Sequence, residues 1–412
     1  MQTNLSPEFK NSQDGKDAES ILRSCVHCGF CNATCPTYQI LGDELDGPRG
    51  RIYLIKEMLE GGAAGRSTQQ HLDRCLTCLN CETTCPSGVQ YGKLLSIGRA
   101  LVDARVERPW TERVSRWLLK EGLTSPLFGP MVRIAAHVRS VVPQALRKHL
   151  PRKARPRAAD RPAGGHDRKV LLLAGCVQPA LLPNINGATA RVLDACGIET
   201  LIADGAGCCG ALRDHLSDRE GGLRDARRNI DAWWPSVAAG TVDAIVMNAP
   251  ACGLAVKHYG VALEGDPAYA KKAARISALT QDLSEMLPGI VPSLKGKLRI
   301  PVGRIAFHAP CTLQHGQHLR GSVEAHLAEL GFKVQPAIRE GNLCCGSAGT
   351  YSVLQPELAR ELRDRKLANL TATDPRTIAS ANVGCIQHLQ SGTPLPVRHW
   401  VELLDEALGG PA

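Results

Sequence analysis

The run Cys25-x-x-Cys28-x-x-Cys31-x-x-x-Cys35-Pro36 recurs as Cys75-x-x-Cys78-x-x-Cys81-x-x-x-Cys85-Pro86. Few patterns restrict a fold more. Three thiolates spaced two residues apart wrap one 4Fe–4S cube, with backbone N–H groups turned toward its sulfides. The fourth, followed by proline, leaves that loop and ligates the other cluster. The spacing therefore predicts two 4Fe–4S clusters, one held by Cys25, Cys28, Cys31 and Cys85, the other by Cys75, Cys78, Cys81 and Cys35. Zinc is the competing reading, but zinc sites pair two C-x-x-C units at longer separation. Two such cubes lie close enough for electron tunnelling.

The remaining composition narrows the setting. The chain has 412 residues and 17 cysteines. That is well below the ~8–10% of a disulfide scaffold, and the chain is too long to need such staples. The first twenty residues contain no apolar core of a secretory leader, and no apolar run approaches the ~18 residues of a membrane span. A cytoplasmic redox or metal protein is expected, either free or peripheral on the inner face of the cell membrane. Aromatic residues are only 4%, which argues against a stacking platform for nucleic acid. The net charge of +9 is concentrated between Arg147 and Lys169, where nine Lys/Arg face two Asp/Glu. Pro151, Pro156 and Pro162 interrupt this stretch, which reads as a linker able to dock on an anionic surface or partner.

The chain divides into blocks. Residues 1–105 read as a helical ferredoxin-like domain, with Arg51–Leu59 an amphipathic helix and Leu94–Val102 a second. Residues 106–168 read as helical around Trp117–Leu119 and Val132–Val142, then as basic linker. Two cysteine-rich repeats follow, 169–290 and 300–408. Cys176, Cys208, Cys209 and Cys252 recur as Cys311, Cys344, Cys345 and Cys385, at offsets of 135, 136, 136 and 133. Val170–Leu173, Leu201-Ile202 and Ile245–Met247 read as strands, separated by helices Ala188–Ala195 and Arg224–Trp234. The order β-α-β-α-β predicts a mostly parallel sheet with the cysteines beyond the carboxyl ends of the strands. The fold class is thus multidomain α and α/β.

Four thiols converging on one strand edge read as a metal or cluster site, or as a redox-active thiol site; the alternative is buried core cysteine. Cys196 aligns with Leu330 and reads as core. His27, His308, His315 and His318 lie near the cysteines; His308 and His315 bracket Cys311 and could tune or ligate a cluster. Trp233-Trp234 read as packing or partner-interface residues. A dinucleotide site is not supported, and no P-loop or Ser-His-Asp pattern is present, so no substrate site of the usual kind is expected.

This arrangement resembles the iron–sulfur subunits of glycolate oxidases (glycolate dehydrogenases). The strings that carry the resemblance are Gly42–Lys56, Asn229–Pro235, Leu343–Tyr351 and Val397–Trp400. It covers the chain apart from the stretch near 105–168. It implies an electron-transfer subunit with no catalytic residue of its own. FAD and the oxidation of glycolate to glyoxylate would reside on flavin-containing partner subunits, and electrons would pass toward a quinone or another acceptor. Glycerol-3-phosphate dehydrogenase small subunits, lactate-utilisation proteins and heterodisulfide reductases share the repeat. In the fuller repeat the last cysteine belongs to a Cys-x-x-Cys pair. Cys252-Gly-Leu-Ala255 and Cys385-Ile-Gln-His388 lack the second member, so the five-cysteine cluster of heterodisulfide reductase is not expected.

Overall fold

The computed structural model describes residues 1–138 and 164–410. The expected linker therefore lies outside the described residues, apart from its last six.

The N-terminal block is helical. Helices α1 (Gln13–Ser24), α2 (Pro48–Leu59) and α3 (Tyr91–Arg105) enclose a core of Ile21, Leu22, Ile55, Met58, Leu94, Leu95 and Val102. These apolar residues fall at three- and four-residue spacing, which gives each helix one face to bury. Gly47 and Pro48 start α2, where a missing N–H costs nothing. The next helix, α4 (Trp110–Thr124), buries no residue fully, although it spans fifteen. It is pinned by charge: Arg108 and Arg116 bind Asp73, and Arg213 of the first repeat binds Glu121. A further helix, Phe128–Val138, covers the described part of the expected Val132–Val142 segment.

The first repeat is built from β1 (Arg168–Leu172), α5 (Asn184–Asp194), β2 (Ile198–Leu201), α6 (Arg219–Ala238), β3 (Ala244–Met247), β4 (Thr280–Asp282) and α7 (Leu283–Leu294). Its strand order is β2-β1-β3-β4, all parallel. The second repeats the plan with β5 (Arg304–His308), β6 (Lys333–Pro336), α8 (Pro356–Thr371), β7 (Thr377–Ser380), β8 (Val397–His399) and α9 (Trp400–Ala407). Its order is β6-β5-β7-β8, again parallel. Strand β3 is apolar throughout, and β1, β5 and β7 are apolar along Val170–Leu172, Ile305–Phe307 and Ile378-Ala379, because helices cover both faces.

The two sheets share one core. It joins Val170, Val192 and Leu287 of the first repeat to Ile305, Ile378 and Trp400 of the second. Helices α5 and α9 meet there, and Arg191 holds Asp405 in a paired ion bridge across the contact. His399 on α9's first turn reaches across to accept no charge of its own: burial lowers it to about 4, so its neutral Nε2–H donates to the Asn248 and Ala381 carbonyls, both at 3.0 Å. Trp233 is fully buried against the outer face of the first sheet, while Trp234 lies half-buried under Lys272.

Candidate metal centres

In the helical domain both cysteine runs adopt the same turn. His27 and Gly29 in the first, Thr77 and Leu79 in the second, all have positive φ, between 52° and 86°. Such left-handed residues turn successive backbone N–H groups toward one concavity, an anion-binding nest. Thr77 N–H, for example, donates to Cys75 Sγ at 3.4 Å. A short helix then carries the third cysteine, and Pro36 begins a second helix just after Cys35. That turn sends the fourth cysteine away from its own loop.

The consequence is an exchange of partners. Cys25, Cys28, Cys31 and Cys85 line one cavity together with His27, Arg49 and Tyr91, and Cys81 of the second run borders it as well. Burial, and then the neighbouring Cys25, push Cys31 up to about 11. Cys35 instead lies beside Cys75, Cys78 and Cys81, whose burial pushes the Cys78 and Cys81 thiols well up. Thiols held neutral at pH 7 in this way need a metal to become thiolates. Among the described residues, the sets of three potential metal donors within 4.8 Å of one another include none drawn from the two runs. Such wider spacing fits a cluster that gives each thiolate its own iron. The donor chemistry and the nests therefore fit 4Fe–4S clusters.

The second quartet sits on a charge network that spacing alone does not reveal. Arg51 is fully buried; its Nε donates to the His71 carbonyl at 2.7 Å and its other nitrogens to Thr37 Oγ1 at 3.3 and 3.2 Å. Thr37 Oγ1 is 3.2 Å from Cys35 Sγ. Burial opposes the Arg51 charge, but Tyr91, Cys75, Cys35 and Asp46 more than offset it and hold the guanidinium charged. Asp46 is shared with Arg74 at 2.8 Å and His71 at 3.1 Å. Tyr91 O–H donates to Cys75 Sγ at 3.5 Å.

In the first repeat Cys176, Cys208, Cys209 and Cys252 form a connected row of thiols. Hydrogen bonds from Cys176 and Cys209 pull Cys208 down to about 3. Burial, and then that thiolate, raise the Asp225 carboxyl to about 6. In the second repeat Cys311 donates to Cys344 at 4.0 Å, and Cys345 contacts Cys344 and Cys385. The glycine of each Cys-Cys-Gly has a physical cause. Gly210 and Gly346 both have φ of 87°, and an added Cβ would lie 2.6 Å from the Gly222 carbonyl oxygen or 2.5 Å from that of Ala359. That turn aims the N–H of Gly210 at Cys208 Sγ and that of Gly346 at Cys344 Sγ, each at 3.4 Å. Asn229, inside the Asn229–Pro235 string, secures the first loop by donating to the Cys208 carbonyl at 2.7 Å.

Cys196 stands apart from these thiols, packed against the shared core with Sγ 3.9 Å from the Ile290 carbonyl. His27 lines the first quartet's cavity, and His318 takes a positive φ of 58°. His315 bridges domains: its Nδ1 accepts from Arg320 at 3.0 Å and lies 2.9 Å from Thr83 Oγ1, and its Nε2–H donates to the Asn342 carbonyl at 2.8 Å. Burial lowers it to about 4, so the bridge is a neutral imidazole. Beside it Leu76, Cys78, Cys344, Tyr351, Ala359 and Leu362 form one buried cluster. The second quartet thus abuts the second repeat's thiols, and Tyr351 O–H closes the contact on the Arg74 carbonyl at 3.1 Å.

Comparison with known proteins agrees with this geometry. Residues 21–89 match the 4Fe-4S dicluster domain family, and residues 170–257 and 305–390 each match the cysteine-rich domain family. The chain is 50% identical to the glycolate oxidase iron-sulfur subunit of Escherichia coli K12, with 99% of each chain covered. The chain belongs to the glycolate oxidase iron–sulfur subunit family. A probable glycolate oxidase iron-sulfur subunit of Bacillus subtilis is 29% identical over 98% of this chain and 96% of its own. Lactate utilization protein A of Geobacillus thermodenitrificans is 25% identical, but its alignment covers only 58% of this chain and 98% of its own. These two glycolate oxidase relatives thus align along nearly the whole chain, both repeats included. Among the described residues no helix is long and apolar enough to cross a membrane.

Proposed function

We propose that this chain is the electron-transfer subunit of a glycolate-oxidising complex. It would receive electrons from flavin-containing partner subunits and pass them toward a quinone or a comparable acceptor. The observation that carries the reading is the contiguity of two thiol quartets with the second repeat through Cys78 and Cys344. Cys25, Cys28, Cys31 and Cys85 would hold one 4Fe–4S cluster, and Cys75, Cys78, Cys81 and Cys35 the other. Bound there, such clusters supply one-electron carriers that change little in geometry on reduction.

The chain's own residues set the order. Cys28 is exposed and is flanked by Val26 and Phe30, themselves 69% and 62% exposed. An apolar rim around the first quartet suits docking of the electron-donating partner. The second quartet is buried and faces inward, toward Cys311 and Cys344. Full-length similarity to glycolate oxidase subunits, against partial similarity to lactate utilization proteins, favours glycolate over lactate. Exposed Trp110, Trp117 and Leu118 on one helix, Met131 and Ile134 on the next, and Leu127 in the turn between them precede the basic segment in the chain. That combination supports peripheral association with the inner face of an anionic membrane.

The test is assembly. The chain alone, replete with iron and sulfide, is expected to show no glycolate turnover, whereas the complex with its flavin partners reduces a quinone analogue. Glycolate oxidation by the isolated chain would refute the reading. A second expectation concerns Arg51. A buried cation stabilises the extra negative charge of a reduced cluster. Arg51→Met is expected to lower the midpoint potential at the Cys75 quartet and leave that at the Cys25 quartet unmoved, as read by EPR-monitored redox titration.

A further inference from the structure

The two repeats are alike in their cysteines but not in what lies three residues before the first of them. The first repeat has Leu173-Ala-Gly-Cys176, the second His308-Ala-Pro-Cys311. Both side chains are buried, Leu173 at 3% exposure and His308 at 2%. A leucine there needs no partner. His308 does, yet its Nε2 has no hydrogen-bond partner. An imidazole nitrogen buried without a partner costs the desolvation of a polar group unless something binds it.

What lies beside it is informative. A ring nitrogen of His308 and the sulfurs of Cys345 and Cys385 all lie within 4.8 Å of one another, and all three residues are buried. Bonds of about 2.3 Å to thiolate and about 2.0 Å to imidazole put donors on one tetrahedral ion roughly 3.5–3.8 Å apart. This triple is therefore near the spacing that a single shared ion requires, unlike the thiols of the ferredoxin-type runs. The surroundings also suit anionic sulfur. Lys366, 2% exposed, is anchored on the Glu340 and Gly341 carbonyls and lies close to Cys345, Cys344 and Cys311. Asn382 Nδ2 donates to Cys385 Sγ at 3.6 Å.

We propose that His308, Cys345 and Cys385 bind one common metal ion, so that the second repeat carries a mixed imidazole–thiolate centre where the first carries thiolates alone. The metal class that such soft sulfur and borderline nitrogen donors select is zinc or iron. The inference rests on the reading that the second repeat's cysteines hold metal, and deepens it by naming a nitrogen ligand. It makes the two repeats different in kind, with the nitrogen-ligated one next to Cys78.

The experiment uses the full chain, purified anaerobically, with iron and zinc counted per chain by mass spectrometry. His308→Leu places in the second repeat the residue that the first repeat tolerates. It is expected to lose about one metal equivalent relative to the unsubstituted chain, as removal of a ligand should. Cys385→Ala should lose the same metal. His308→Cys restores a donor at that place and is expected to keep the metal while losing the imidazole signature. That signature is ¹⁴N coupling in pulsed EPR if the metal is iron, or imidazole scattering at the zinc absorption edge if it is zinc. Full metal content in His308→Leu, beside loss in Cys385→Ala, would overturn His308 as a ligand and leave the metal reading intact. Full metal content in both would overturn the metal reading itself.

Discussion

Cys35→Ser is expected to remove the same reduced-state EPR signal as Cys78→Ser, and Cys85→Ser the same signal as Cys28→Ser. The exchange follows from backbone geometry. Pro36 opens a helix immediately after Cys35, which carries that thiol out of its own loop and toward Cys75, Cys78 and Cys81. Cys85 makes the reciprocal move into the cavity of Cys25, Cys28 and Cys31. Serine offers a hard oxygen where the cluster selects soft sulfur, so each substitution should empty or convert one centre. The effect on electron transfer should be large, because outer contacts alone cost about 10–100-fold in metal affinity and a direct ligand should cost more. The pairs are separated by sequence distance: Cys35 is near Cys28 in the chain but with Cys78 in space. Loss of a common signal in Cys35→Ser and Cys28→Ser would refute the exchange.

How legible was this protein in its sequence? The central strands were, because a strand covered on both faces is apolar along most of its length. Val170–Leu173 and Ile245–Met247 could hardly be anything else. The edge strands were not. Thr280-Gln-Asp282 and Val397-Arg-His399 are three residues long and largely polar, and only pairing with β3 and β7 makes them strands. The ferredoxin-type thiols were legible because cluster ligation dictates a spacing. The Arg51 network was not, since an arginine on an amphipathic helix reads as solvent-facing. Its partners Asp46, His71 and Thr37 come from separate segments, and no local pattern joins them. His308 was visible only as a neighbour of Cys311; its missing hydrogen-bond partner is a property of the folded interior. That the second repeat's thiols, rather than the first's, abut the inner quartet of the helical domain is likewise tertiary. Thr83 with His315, and Arg74 with Tyr351, decide it.

That asymmetry makes the second repeat the place where a single atom should matter most. Cys344→Ala and Cys345→Ala are each expected to abolish electron delivery by the assembled complex, by more than ~100-fold on the ligand argument above, while both ferredoxin-type EPR signals persist. Cys344 shares a buried cluster with Cys78 and accepts from Cys311, so it stands between the inner quartet and the rest of the second repeat. Cys345 reaches onward to Cys385. The natural control is Cys196→Ala. Its thiol packs on the shared core away from either row, so it should cost only packing, about 1–2 kcal/mol, seen as a lower melting temperature with electron delivery unchanged. Iron content and acceptor reduction measured side by side separate the cases. If Cys344→Ala and Cys345→Ala keep full electron transfer and full metal, behaving like Cys196→Ala, then the Cys-Cys-Gly turn is a structural corner. The contact with Cys78 would then be packing, and the path would have to leave the helical domain by its exposed quartet instead.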